Sequence, residues 1–378
     1  MTKEMEISVV IPCLNEEKAI GVCLDKIQDV FAKKKYIGEV IVVDNGSTDK
    51  SAEIAKAKGA NVVREEKRGY GCAYLAGLKN AQGKYILMGD ADNTYDFNDI
   101  PKFLDLLEKG YDLVMGSRFK GKIHKEAMPW ANRYIGNTIL SGMCRLFFHT
   151  SLSDIHCGMR ALSREAYSKM NLQCLGMEFA TEMVVEALNK HLKTAEVSID
   201  YYPRHGDSKL NPLQDAWRHI RFMFLFCPTW LYFVPGLVMG LLGLLILFIL
   251  VKGPFLLFGH YWDIHMMVLG ALLSILGYQI INMGLQAKML AFEQGYLKDD
   301  SLINNIKQHF SLEIGIAFGL CMFLVGLIIN IFIFTEWWHN AFGPLYRIRE
   351  SIFAMTFMIL GLQTIFSSFF LSFLSTRR

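Results

Sequence analysis

Four long stretches of this 378-residue sequence contain no Asp, Glu, Lys or Arg: Phe222–Val251, Ile264–Ala287, Ile314–Thr335 and Ser351–Thr376. Each is at least as long as the ~20 apolar residues needed to cross a hydrocarbon core. Four membrane-spanning helices are predicted, and a wholly soluble chain is excluded. The eight cysteines include no CxxC pair and are scattered, which fits reduced thiols rather than a disulfide or zinc framework. No GxGxxG or GxxxxGK[ST] follows an expected strand, which argues against a dinucleotide oxidoreductase and a Walker-type ATPase. The histidines lack metal-ligand spacing, and no Ser-His-Asp or Cys-His set can be assembled. The opening MTKEMEISVVIP puts acids where a basic n-region would stand. No signal peptide is expected, and the globular part is expected to stay in the cytosol.

What is present divides unevenly. Hydrophobic residues make up 52% of the chain, yet residues 1–210 hold no comparable apolar run and read as a globular domain. Residues 211–228, with Arg218 and Arg221 beside Trp217, Phe222 and Phe224, read as an interfacial amphipathic helix or as the start of the first crossing. Residues 229–378 carry the spans, expected near 229–251, 264–289, 313–335 and 351–375. An even number of crossings puts Arg377 and Arg378 on the side of Arg218 and Arg221, taken as the cytoplasm of a bacterial inner or plasma membrane. The connector with Arg347 and Arg349 runs against that count. The net charge of +3 decides nothing.

In the globular part, apolar β-branched runs alternate with helical patterns. "ISVVIPCLNEE" reads as a buried strand entering a loop and a helix, and "EVIVVDNGSTDKSAEIAKAKG" repeats this with a strand at Val40–Val43 and a helix from Ser47 or Thr48 to Gly59. "ANVVREEKRGYGCAYLAGLKNAQG" and "KYILMGDADNTYDFNDIPKFLDLLEKG" repeat it again. Such alternation implies a mainly parallel sheet flanked by helices. Ligands of open sheets sit at the carboxyl ends of the strands, where every unusual loop here falls.

Asp90 and Asp92 form a D-x-D at a strand end. Like charges so close repel unless a cation lies between them, and Mg²⁺ or Mn²⁺ takes one or two carboxylates plus phosphate oxygens. Alone, the same spacing also describes solvated loop acids or a helix cap. Asp44 in "VVDNGSTD" can accept from the N–H edge of a nucleobase while Gly46 permits a tight turn; the same residues can form an Asx turn. Lys67 and Arg68 before Gly71 offer a basic loop. Arg118, Arg133, Arg160, Arg204 and Lys209 gather toward the membrane segment, and Arg forks suit phosphates. Glu178 and Glu182, one helical turn apart, form either a solvated stripe or part of an acceptor site.

Taken in order, "VVIPCLNEE", "VVDNGSTD", "KRGYG", "GDADNTYDF", "SDIHCGMR" and "PRHGDSKL" resemble a family-2 glycosyltransferase of the dolichyl- or polyprenyl-phosphate sugar synthase group over roughly residues 6–215. The resemblance implies a GT-A fold, a nucleotide-sugar donor, a divalent cation and inversion at the anomeric carbon. It assigns Asp44 to the base, Pro12, Asn15 and Glu17 to the nucleotide-cradling loop, and Asp90, Ala91 and Asp92 to the metal and diphosphate, with Asp92 the direct ligand. Thr94 stands where mannose-transferring members often carry Gln, which leaves the third ligand open and favours UDP-glucose over GDP-mannose. Arg118 and Arg160 fall where the family directs arginines at the lipid phosphate. The implied partners are the nucleotide-sugar, a polyprenyl or dolichyl phosphate and the bilayer; a homo-oligomer is compatible, and nucleic acid is not implied. A processive polysaccharide synthase is the first alternative, although no QxxRW occurs. A lipid transporter or scaffold is the second, disfavoured by the intact acid and arginine sets.

Overall fold

The computed structural model describes residues 5–206, 212–293, 301–309 and 311–376. They belong to two compact units, Met1–Phe226 and Cys227–Arg378.

A seven-stranded sheet centres the first unit, formed by β1 (Ile7–Cys13), β2 (Gly38–Asp44), β3 (Asn61–Arg64), β4 (Tyr85–Met88), β5 (Leu113–Ser117), β6 (Arg160–Ser163) and β7 (Thr194–Ser198). Their order is β3-β2-β1-β4-β6-β5-β7. The β1 run Ile7–Ile11 is fully buried, as a strand covered on both faces must be. The helices are α1 (Ile20–Lys34), α2 (Ser51–Ala57), α3 (Tyr70–Asn80), α4 (Ile100–Glu108), α5 (Asn137–Phe148), α6 (Arg164–Lys169), α7 (Phe179–Asn189) and α8 (Pro212–Phe226). In α4, Pro101 stands in the first turn, where its missing N–H costs nothing, and Ile100, Phe103, Leu104 and Leu107 form one buried stripe. Each such side chain contributes roughly 1.5–3 kcal/mol on burial.

Chain order reverses at β1. β2 and β3 pair on one side and β4 on the other, so the loops after β1 and β4 part there and open a crevice. β6 is antiparallel to both β4 and β5, with Arg160 opposite Met88 and Met115. This reversal brings the segment before β6 to the same sheet edge as the loops after β4 and β5. The helix expected from Ser47 or Thr48 begins at Ser51 instead. Side chains hold the intervening backbone in turns: Asn15 Oδ1 accepts from Thr48 N at 2.7 Å and Asp49 Oδ1 from Ser51 N at 3.0 Å.

The second unit holds α9 (Val234–Leu250), α10 (Ile264–Glu293), α11 (Ser301–His309), α12 (Leu312–His339) and α13 (Ile348–Thr376). Four stretches are long and apolar enough to cross a membrane: Thr229–Leu250, Ile264–Glu293, Leu312–His339 and Ile348–Ser375.

Candidate active site

The crevice at β1 and β4 is acidic. Asp90 follows β4, and its carboxylate fills the space an added Cβ on Gly158 would take, 2.4 Å from Oδ2. Tyr70 and Tyr74 hydroxyls stand 3.4 Å from its Oδ1. Burial, then repulsion from Asp92, pushes the Asp90 carboxyl up to about 7 against the pull of Arg160, Arg118 and Arg204. Asp92 is oriented from both sides. Thr94 donates its amide and hydroxyl to Oδ1 at 3.1 and 2.6 Å, and Arg204 Nη2 lies 3.4 Å from Oδ2. Thr94 is buried and orients Asp92. Among the described residues no group of three or more His, Cys, Asp or Glu is gathered to hold a metal.

The Asp90 shift has a measurable consequence. The folded protein keeps this proton up to about pH 7, whereas an unfolded Asp releases it near pH 4, at roughly 3.9. The folded state therefore binds more protons across that window, and stability contributed here falls as pH rises through it. In EDTA, Asp90→Asn should stabilise the protein at pH 8 by on the order of 2–4 kcal/mol and by much less at pH 5. Equal stabilisation at both pH values in thermal melts would contradict the shift.

Asp44 is buried at the end of β2 and accepts from Ser47 N at 2.9 Å, closing a turn through Gly46, whose φ is 90°. Arg68 lies beside that turn, within 3.6 Å of a Cβ built on Gly46, and Lys67 is exposed. Asn45 latches this basic loop. Its Nδ2 donates to the Glu65 and Lys67 carbonyls at 3.0 and 2.9 Å, and its Oδ1 accepts from Gly69 N at 2.8 Å. Asn45→Ala should therefore speed amide exchange in residues 65–69 by tenfold or more, about 1.4 kcal/mol or above, leaving β1 protected. Unchanged protection there would remove the latch.

Several side chains stand elsewhere than expected. Arg118 is paired within the protein. It forks onto buried Asp154, Nε to Oδ2 at 2.7 Å and Nη2 to Oδ1 at 2.8 Å, and lies over the Tyr201 ring, because a buried guanidinium needs a counter-charge. Arg160, 1% exposed, spends its donors on carbonyls: Nε and Nη2 on Cys157 at 3.2 and 2.6 Å, Nη1 on Ala180 at 2.9 Å. Glu17 turns to α2, accepting from Lys50 N at 3.3 Å, and buried Glu16 instead meets Arg204 at 3.4 Å. Gly71 makes room for protein rather than phosphate, since an added Cβ would lie 2.1 Å from the Cys174 carbonyl. Glu182 accepts from the Gln173 and Cys174 amides, both at 2.9 Å, and so fixes that strap against α3. Pro12 lies in β1, Ala91 is buried between the two acids, and Asn15 lines the β1 loop with φ of 54°. Arg133 stacks on Tyr134. Lys209 lies outside the described residues.

Sequence reasoning missed Glu16, Asn45 and Asp154, and also a histidine pair. His156 and His219 meet at 4.4 Å between ring centres, and both reach the Thr181 hydroxyl, at 3.4 and 2.8 Å. Burial first, then like charge from its neighbours, holds His219 down to about 4 and His156 well below its usual range. Both are neutral at pH 7, and they pin α8 to the first unit. Also missed was an exposed apolar face on and just before α5: Trp130, Tyr134, Ile135, Ile139 and Leu146 are each 46–67% exposed. The helical spacing of 135, 139 and 146 was the available signal.

An open sheet with paired acids at its switch point, joined to a unit of membrane-spanning helices, defines a membrane-attached transferase of the GT-A class. Residues 8–170 match Glycosyl transferase family 2, and residues 285–375 match its C-terminal transmembrane region. The low-salt glycan biosynthesis hexosyltransferase Agl6 of Haloferax volcanii is 36% identical over 97% of this chain and 88% of its own length. A dolichyl-phosphate hexose transferase of the same organism is 36% identical over 55% of this chain and 87% of its own. A solved structure described as a mycobacterial protein aligns with a TM-score of 0.50 at 21% identity, over 59% of this chain and 75% of that one, a likeness of fold. The chain belongs to glycosyltransferase family 2. It is an integral membrane enzyme.

Proposed function

We propose that the enzyme moves a hexose, with inversion, from a nucleoside-diphosphate sugar, UDP-glucose before GDP-mannose, to the phosphate of a polyprenyl or dolichyl lipid at the cytoplasmic face. The observation that carries the donor side is the pair Asp90 and Asp92 at the switch point, with Arg204 reaching Asp92. The acceptor side is supported by the exposed Trp130–Leu146 face in the same unit, which suits the boundary of a bilayer, and by the name of the Haloferax dolichyl-phosphate hexose transferase.

The residues present fit a divalent cation. Two hard carboxylates, one made to keep its proton by burial and then by the other's charge, suit Mg²⁺ or Mn²⁺, which takes its remaining oxygens from phosphate and water. Bound there, the cation supplies positive charge for the departing diphosphate. Asp44 accepts from the base, Asn45 holds the Arg68 loop against the nucleotide, and Arg204 adds charge at the diphosphate. The acceptor phosphate, its second pKa near ~6, is already a nucleophile and requires no protein base. Buried Arg118 and Arg160 contribute a fixed positive field that lowers the repulsion between two anions, without touching the lipid.

The test is transfer by the full-length protein in detergent, with farnesyl phosphate and a panel of UDP- and GDP-hexoses in Mn²⁺. A hexosylated lipid from one donor, lost in EDTA, is expected. No product across the panel would overturn the proposal.

A further inference from the structure

Within the second unit α10 and α13 run side by side in the same direction. Asp263 pairs with Arg349 at one end, Tyr278 meets the Thr364 hydroxyl at mid-length, and Met289 packs with Leu371 at the other. Between them lies a groove of about 430 Å³, within the range of small-ligand sites. Its lining is unusual for a span. Gln279, Asn282 and Gln286 follow one another at helical spacing along α10, and Gln363, Phe366 and Ser367 face them from α13. Gln279 and Gln363 stand at the midpoints of their helices, in the depth where hydrocarbon offers amides no partner. Asn282 donates to the Tyr278 carbonyl in its own helix, whereas Gln363 keeps a buried Oε1 with no hydrogen-bond partner among the described residues. Polar side chains at such depth are costly and mark a function or a partner.

Among the described residues no Asp, Glu, Lys, Arg or His lines the groove, so an anionic headgroup finds no counter-charge from them there. Four amides and a hydroxyl beside an exposed aromatic ring, Phe366 at 70%, match an uncharged polyhydroxy group, which both donates and accepts at each hydroxyl and stacks an apolar ring face. We infer that this groove binds the sugar head of a lipid, namely the hexosyl group of the enzyme's own glycosylated lipid. The phosphate, joined directly to the anomeric carbon, then lies at the Gln286 and Ser367 end of the groove, on the side of the Glu293 terminus of α10. The site deepens the proposed function by giving the membrane unit a role beyond anchoring, and it rests on that reading for the identity of the lipid. An uncharged, amide-bearing groove of this volume favours a sugar over a neighbouring helix from a second copy.

The test uses the full chain in phosphatidylcholine nanodiscs with EDTA, and synthetic lipids, so that turnover is not needed. The wild type should bind farnesyl-phosphate-glucose about tenfold more tightly than farnesyl phosphate. Asp92→Asn should keep that preference, and Gln279→Leu with Gln363→Met should abolish it while transfer stays within about twofold. The last two exchanges replace amides by apolar side chains and do not threaten a membrane helix. A photoreactive phenylalanine at position 366 should label with the glucosylated lipid. Equal labelling by a glucosyl diacylglycerol would assign the groove to glycolipids at large and overturn the product assignment. An unchanged preference in the double variant would overturn the site. So would a loss of dimers in that variant with lipid binding intact, since the amides would then join two copies. If lipid-linked sugar is never made but the preference holds, the proposed function fails and the groove stands; the converse result sinks the groove alone.

Discussion

Asp92→Ala should abolish sugar transfer, by at least a thousandfold in kcat/KM, or about 4 kcal/mol, with the protein still folded in detergent. The residue holds two positions at once: Oδ1 collects the amide and hydroxyl of Thr94, and Oδ2 meets Arg204. Removing the carboxylate takes away half of the oxygen pair that would hold a cation and frees Arg204 to close on Glu16 alone, 3.4 Å away. Stability should change little, because Asp92 also raises the cost of ionising its neighbour; without it, Asp90 ionises more easily. Raising Mn²⁺ a hundredfold should not restore activity. Transfer within tenfold of wild type at saturating donor would eliminate the cation reading of this pair.

Arg160→Ala should strongly destabilise the first unit. The guanidinium is almost fully buried and satisfies the Cys157 and Ala180 carbonyls. Truncation leaves those acceptors unpaired in a new cavity, at about 3–5 kcal/mol, a fall in Tm of many degrees. Arg160→Met refills most of the volume and separates packing from charge. It removes a cation that draws Asp90 down, so the Asp90 carboxyl should climb further. Transfer should then fall near pH 7 and recover on the alkaline side. A Met variant with wild-type activity at every pH would deny Arg160 any electrostatic part, and equal melting of the Ala variant and wild type would deny its structural one.

These expectations differ from what motif position alone suggested. The string SDIHCGMR pointed to a phosphate-facing Arg160, and GSRF to a phosphate-facing Arg118. Side-chain direction was not legible because it depends on β6 running antiparallel between β4 and β5, which sets Arg160 beneath the acids and Asp154 opposite Arg118. The neighbouring acids Glu16 and Glu17 could not be told apart either. α2 begins late and recruits Glu17 to its N-terminal turn, so Glu16 is left at the crevice. Gly71, read with Lys67 and Arg68 as part of a basic loop, proved to make a contact with the Cys174 strap.

The sequence by itself determined the first four strands and the helices after them, the class of fold, the four spans and the place of Asp44, Asp90 and Asp92 after apolar strands. Those follow from local rules: residue periodicity, runs without charge, and acids directly after apolar strands, each complete within a dozen or so neighbours. Only the tertiary structure decided which charges face the crevice and which are consumed inside, and which span faces carry the amides. Burial and pairing join residues tens of positions apart. The free energy that commits Arg118 to Asp154, or brings Gln363 beside Gln279, exists only once the chain has closed on itself.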